Sequence, residues 1–164
     1  MKKILAVSFI AAVVAVGGLA FSTQFSAQDA TTSPTVGAAA TTQTRQITIW
    51  RDPGCGCCDA YAEYLEANGF QVTRVDDRDF DKRSIAAGVP ERGLGCHLGK
   101  IDGYYVSGLV PVEIINRLLV ERPKINGITL PGMPGNAPGM AAAKTGTLKT
   151  FAFGKDGVTV YADE

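Results

Sequence analysis

A surplus of basic residues is missing from this 164-residue chain. Lysine plus arginine number 16, as do aspartate plus glutamate. If Lys2 and Lys3 leave with an N-terminal leader, the balance is 14 basic against 16 acidic residues. With no cationic excess and no stripe of aromatics interleaved with cations, nucleic-acid binding is set aside. Internal repeats are absent as well. Histidine is reduced to one residue, His97, and cysteine to four. None of those cysteines lies near the apolar N-terminal run, so nothing marks a lipid-anchored lipoprotein. Two separated Cys-x-x-Cys knuckles, the usual frame of structural zinc, are also lacking.

The few soft donors that are present are gathered rather than scattered. Cys55, Cys57 and Cys58 fall within four positions, and Cys96 is next to His97. Apart from the initiator, the methionines are Met133 and Met140, both inside Pro131-Gly132-Met133-Pro134-Gly135-Asn136-Ala137-Pro138-Gly139-Met140. Cysteines kept for packing would be dispersed through the apolar runs. This distribution points to a site, provided that the three segments meet in space.

Residues 1–21 begin Met-Lys-Lys and continue as an apolar run, which reads as an export signal. The run also has the roughly 18 residues needed to span a bilayer, so an uncleaved anchor is the second reading after a cleaved signal. Either way the domain is exported, and its thiols meet an oxidising compartment. Contact with a membrane is expected only if the leader stays. Residues 22–45 are rich in Thr, Ala, Ser and Gln, with almost nothing large and apolar to offset ordering entropy, and read as a linker. The domain proper is 46–164.

Within it, Ile47-Thr48-Ile49-Trp50 is a β-branched and aromatic run stopped by Asp52-Pro53-Gly54, a strand and then a turn. Residues 59–68 carry Tyr61, Tyr64 and Leu65 at helical spacing and end at Asn68-Gly69. A second strand is expected over 70–75 and a short helix over 79–87. A hairpin follows, turning at Asp102-Gly103. Pro111 opens a helix whose buried face is Ile114, Ile115, Leu118 and Leu119. Residues 125–145 read as a Gly/Pro loop, and 147–153 with 158–161 as a terminal hairpin. The fold class is α/β: a thioredoxin-like β-α-β-α-β-β-α order with a Gly/Pro/Met loop and a C-terminal β-hairpin.

Cys55 and Cys58 form a Cys-x-x-Cys at the opening of the first helix. The helix N-terminus favours thiolate over thiol there. Thiolate is both the nucleophile of disulfide exchange and a ligand for soft metals, so this motif alone leaves two functions open. A thiol–disulfide oxidoreductase acting on protein partners needs two cysteines. A soft-metal cage wants three or more, and Cys57 and Cys96 supply them. Such donors suit Cu(I), with the thioethers of Met133 and Met140 as further soft donors or a lid. Zinc is a weaker competitor. A purely structural pair of disulfides is the remaining alternative, and the adjacency of Cys57 and Cys58 counts against a pairing between those two. The tyrosines Tyr61, Tyr64, Tyr104 and Tyr105 read as core and interface residues.

The combination of Cys-Gly-Cys-Cys, Cys-His, Gly-Tyr-Tyr-Val-x-Gly-x-Val-Pro, Leu-Leu and the doubled Pro-Gly-Met resembles the CopG-type proteins. These are exported thioredoxin-like domains associated with copper resistance and often filed as a metal-binding domain of unknown function. The likeness runs from about residue 47 to 161. It implies a metal site at Cys55, Cys57, Cys58, Cys96 and His97, with the methionine loop at Met133 and Met140. Copper would be the ion and other exported copper-handling proteins the partners. The chain departs from the family pattern at Leu109, where a histidine is common, at Leu98-Gly99 after Cys-His, and at Gly135-Asn136-Ala137. The expected function is an exported Cu(I)-binding protein in copper homeostasis or resistance. It leans away from an enzyme, with thiol-coupled copper redox as the activity open to it.

Overall fold

The computed structural model describes residues 45–164; the leader and nearly all of the linker expected from the sequence, residues 1–44, lie outside the described residues. The chain runs β1 (Arg45–Arg51), α1 (Gly56–Ala67), β2 (Phe70–Asp76), α2 (Phe80–Ala86), a short 3-10 turn (Glu91–Gly93), β3 (His97–Ile101), β4 (Tyr104–Ser107), α3 (Val112–Glu121), β5 (Gly127–Thr129), β6 (Lys149–Gly154) and β7 (Gly157–Asp163). All seven strands form one sheet in the order β2-β1-β3-β4-β5-β6-β7. The element order through α3 is the β-α-β-α-β-β-α expected from the sequence.

β1 and β2 are parallel, joined through α1 by the crossover that a parallel pair needs, and β3 is antiparallel to β1. The β3–β4 hairpin turns at Asp102 and Gly103, both with positive φ (48° and 89°), the backbone of a primed two-residue turn. The helices bury one stripe each. On α1 the buried positions are Cys58, Tyr61, Ala62 and Leu65, a spacing of three and four that traces one helical face. Cys58 therefore belongs both to the core stripe and to the cysteine cluster. On α3 the stripe is Ile114, Ile115 and Leu118, with Leu119 half-buried beside them. Each such aliphatic side chain contributes on the order of 1.5–3 kcal/mol by leaving water. Leu109, which replaces the commoner histidine, is wholly buried in the same core.

One expectation needs correction. Residues 125–145 are not loop throughout, because β5 lies inside them and pairs parallel with β4 and antiparallel with β6. It is through β5 that the terminal hairpin joins the sheet. The strand is three residues long and opens on Gly127, which reads as a breaker. Here glycine marks a close approach of backbones: a Cβ on Gly127 would sit 2.1 Å from the Tyr105 carbonyl oxygen.

Candidate metal centre

The site begins where β1 ends. Asp52 accepts from Gly54 N through its side chain (2.9 Å) and from Cys55 N through its carbonyl (3.0 Å), closing the turn that Pro53-Gly54 announces. The Cys55 carbonyl then accepts from Cys58 N (3.1 Å) and Asp59 N (3.2 Å), which starts α1. Arg51 pairs with Asp59 (3.0 Å) and Asp76 (3.1 Å), tying the end of β1 to the first turn of α1 and to β2. Cys55 and Cys58 are joined by a disulfide, and Cys57 and Cys96 are free. One disulfide is formed, not two.

Cys96 arrives from the other side, at the entrance to β3. Its predecessor Gly95 lies so near Gly108 that a Cβ would fall 2.2 Å from the Gly108 Cα. Gly95 N donates to Ser107 Oγ at 3.1 Å, and Cys58 Sγ sits 3.3 Å from the Cys96 carbonyl oxygen. The outcome is that the sulfurs of Cys55, Cys57, Cys58 and Cys96 all lie within 4.8 Å of one another. Cys57 Sγ is 3.3 Å from Cys55 Sγ. Burial first, and then the neighbouring Cys57, push the Cys96 thiol up to about 12.

His97 stands behind the cluster. Its Nδ1 is 3.4 Å from Cys96 Sγ and its ring is 4.8 Å from that of Tyr61, centroid to centroid. It is fully buried, Nε2 has no hydrogen-bond partner, and burial lowers its pKa to about 3. A neutral imidazole against one sulfur is suited to supporting that ligand. The four cysteine sulfurs lie within reach of one another without it. Tyr61, the residue beneath His97, donates its hydroxyl to the Val110 carbonyl at 2.7 Å.

The methionine loop returns to the cysteines. Gly132 N donates to Leu94 O (2.9 Å), and Gly132 bridges Gly95 in parallel, so Met133 follows Gly132 as Cys96 follows Gly95. Cys57 donates to Met133 Sδ at 3.7 Å. Met133 and Met140 are both exposed, and Met133 is the one of the pair seen against a cysteine sulfur among the described residues. Gly139 packs on the first turn of α1: a Cβ there would be 2.7 Å from the Cys57 carbonyl oxygen. Gly95 and Gly108 flank or lie within the motifs prominent in the sequence, yet nothing local announces their close backbone contact.

The donor chemistry fits a soft metal. Metal–sulfur bonds of about 2.3 Å let one ion join sulfurs roughly 4.6 Å apart, close to the spread of the cluster. With the disulfide closed only two thiols can become thiolate; reduction makes four available.

Set beside known proteins, this is an α/β domain carrying a four-cysteine cluster of a kind capable of binding metal. A family model described as a protein of unknown function, DUF411, matches residues 94–140. No curated protein gives a significant match. A solved structure titled copper resistance protein copG, form 2, is 35% identical and aligns over 74% of this chain and 99% of that one, with a TM-score of 0.68. Form 1 of the same protein is 36% identical over 74% of this chain and 98% of that one, with a TM-score of 0.66. The chain belongs to the CopG-type family.

Proposed function

We propose that this chain is an exported copper-binding protein of copper homeostasis or resistance, which takes Cu(I) on the thiolates of Cys55, Cys57, Cys58 and Cys96. The observation that carries the reading is the convergence of four sulfurs within 4.8 Å from two distant segments. An all-sulfur set with a thioether alongside favours Cu(I), because thiolate and thioether are the ligands that select it. Zinc is served by thiolates but gains nothing from Met133. The titles of the similar structures name copper resistance, which agrees. His97 supports Cys96, and the apolar leader directs export.

The same cysteines can couple copper to thiol redox. Two Cu(II) ions each accept one electron as the Cys55 and Cys58 thiolates give up two and join as the disulfide, leaving two Cu(I). The reverse needs two Cu(I) to supply the electrons that reopen it. A second reading, a thiol–disulfide oxidoreductase acting on proteins, draws on the closed Cys55–Cys58 pair at the start of α1.

The deciding experiment is anaerobic titration of the reduced full chain with Cu(I) and with Zn(II) against competing chelators, beside a protein-disulfide reductase assay. We expect strong preference for Cu(I), with Cys55→Ser and Cys58→Ser each weakening it strongly. Unchanged Cu(I) affinity in both variants would overturn the site. Robust reductase turnover by a Cys57→Ser, Cys96→Ser double variant would favour the oxidoreductase.

A further inference from the structure

Closing the Cys55–Cys58 disulfide withdraws two thiolates from the cluster, yet three soft donors remain together. Cys57 and Cys96 stay free, and Met133 Sδ lies 3.7 Å from Cys57 Sγ. We propose that in the disulfide-closed form Cys57, Cys96 and Met133 make a separate three-sulfur Cu(I) site, so that copper is retained when the Cys55–Cys58 pair oxidises. The proposal rests on the reading above that copper is the cargo.

The placement of Met133 carries the argument. Its side chain is 55% exposed, so it gains little by burial and does not fill the core. It is nevertheless held at a cysteine sulfur by the backbone. The Gly132–Leu94 hydrogen bond and the Gly95–Gly132 bridge align the loop with the strand entrance that carries Cys96. Pro131 and Pro134 flank Gly132 and Met133, each restricting its own φ, so the approach is preorganised. Cys57 is the pivot, touching Cys55 on one side (3.3 Å) and Met133 on the other. When Cys55 is tied to Cys58, the thioether is the soft donor left beside Cys57.

The chemistry balances without an oxidant. Cu(I) replaces the thiol protons of Cys57 and Cys96, two protons leave to solvent, and the metal keeps its oxidation state. A thioether carries no proton and does not take part in disulfide closure, so Met133 donates equally in either state. In the reduced protein four thiolates compete for the ion and the thioether matters little. In the oxidised protein it is a third of the ligand set. The prediction is therefore a dependence on Met133 that appears with oxidation.

The test is Cu(I) competition with a chromophoric chelator on the full chain in both states, the oxidised state being verified by counting two free thiols. The oxidised chain is expected to bind one Cu(I). Met133→Leu, which nearly conserves volume, should weaken that binding at least ~10-fold and the reduced protein by less than ~3-fold. Since Cys57 is near enough to Cys55 to exchange with the disulfide, a Cys55→Ser, Cys58→Ser double variant gives an independent measurement. It keeps the three donors with no disulfide, and should bind one Cu(I) with the same dependence on Met133. If the reduced chain binds Cu(I) but neither the oxidised chain nor the double variant does, this site is overturned and the four-cysteine reading stands. Equal weakening of both states by Met133→Leu would overturn it too. If the reduced chain itself fails to bind Cu(I), both readings fall.

Discussion

The burial of His97 makes the metal-free protein sensitive to acid in a window that the sole histidine defines. In the fold its pKa is lowered from 6.5 to about 3, and burial is the cause. Above about pH 7 the imidazole is neutral in both folded and unfolded chains and contributes no pH dependence. Below about 6.5 the unfolded chain takes up a proton that the folded one refuses, so stability falls as pH falls, by about 1.4 kcal/mol per unit, until the folded pKa is reached. At about pH 4.5 the loss from this residue is about 3 kcal/mol. The adjacent Cys96 does not offset it, since its thiol, pushed up to about 12, carries no charge there. The assay is urea unfolding of metal-free wild type and His97→Leu at about pH 7.5 and pH 4.5. The variant gives up the contact with Cys96 Sγ but leaves no buried Nε2 without a partner. It should lose about 3 kcal/mol less than wild type on acidification, with carboxylate effects cancelling between the two proteins. Equal acid dependence in both, or a proton NMR titration of the imidazole near 6.5, would refute the reasoning.

Further outcomes follow from the same geometry. Gly139→Ala places a Cβ 2.7 Å from the Cys57 carbonyl oxygen at a φ of +87°. It should cost on the order of 1–3 kcal/mol in denaturant unfolding and raise the alkylation rate of Cys57 by lifting the loop. Tyr61→Phe removes the buried 2.7 Å hydrogen bond to Val110 O and should cost about 1–3 kcal/mol, with wild-type stability as the contrary result. Cys96, with its thiol pushed up to about 12, should alkylate at about pH 8.5 at least ~100-fold more slowly than a free small thiol. Removing residues 1–44 should leave a soluble domain with a cooperative unfolding transition; an insoluble product would show that the N-terminal segment takes part in the fold.

What could be read from the sequence was whatever local patterning controls. The run Ile47-Thr48-Ile49-Trp50, the spacing of Tyr61 and Leu65 on α1, the Asp102-Gly103 turn and the apolar face of α3 each carry their own period or turn chemistry, and the structure has all four. The cysteine cluster was legible for another reason: thiols are rare here and lie in two short segments, so a sheet pairing β1 with β3 brings the segments together. β5 was not legible, because three residues cannot show an alternation and its glycine serves a backbone contact with β4 that exists only in the assembled sheet.

The methionine loop shows where the limit falls within the site itself. Met133 and Met140 stand in near-identical Pro-Gly-Met settings, and nothing local tells them apart. What separates them is long-range: Gly132 meets Leu94 and Gly95 and so delivers Met133 to Cys57, whereas Gly139 is pressed against the backbone of α1. The repeated tripeptide thus does two jobs. In the first copy glycine lets the chain align with the entrance to β3 and bring a thioether to a thiol; in the second it lets the returning chain pass close over the helix that holds the cysteines. The two methionines that follow the glycines are therefore not equivalent. A Met133→Leu chain that keeps Met140 should behave in oxidised-state Cu(I) competition like one that has lost both methionines. Retention by Met140 alone would show that the loop is loose enough to swap donors, and the positional argument would fail.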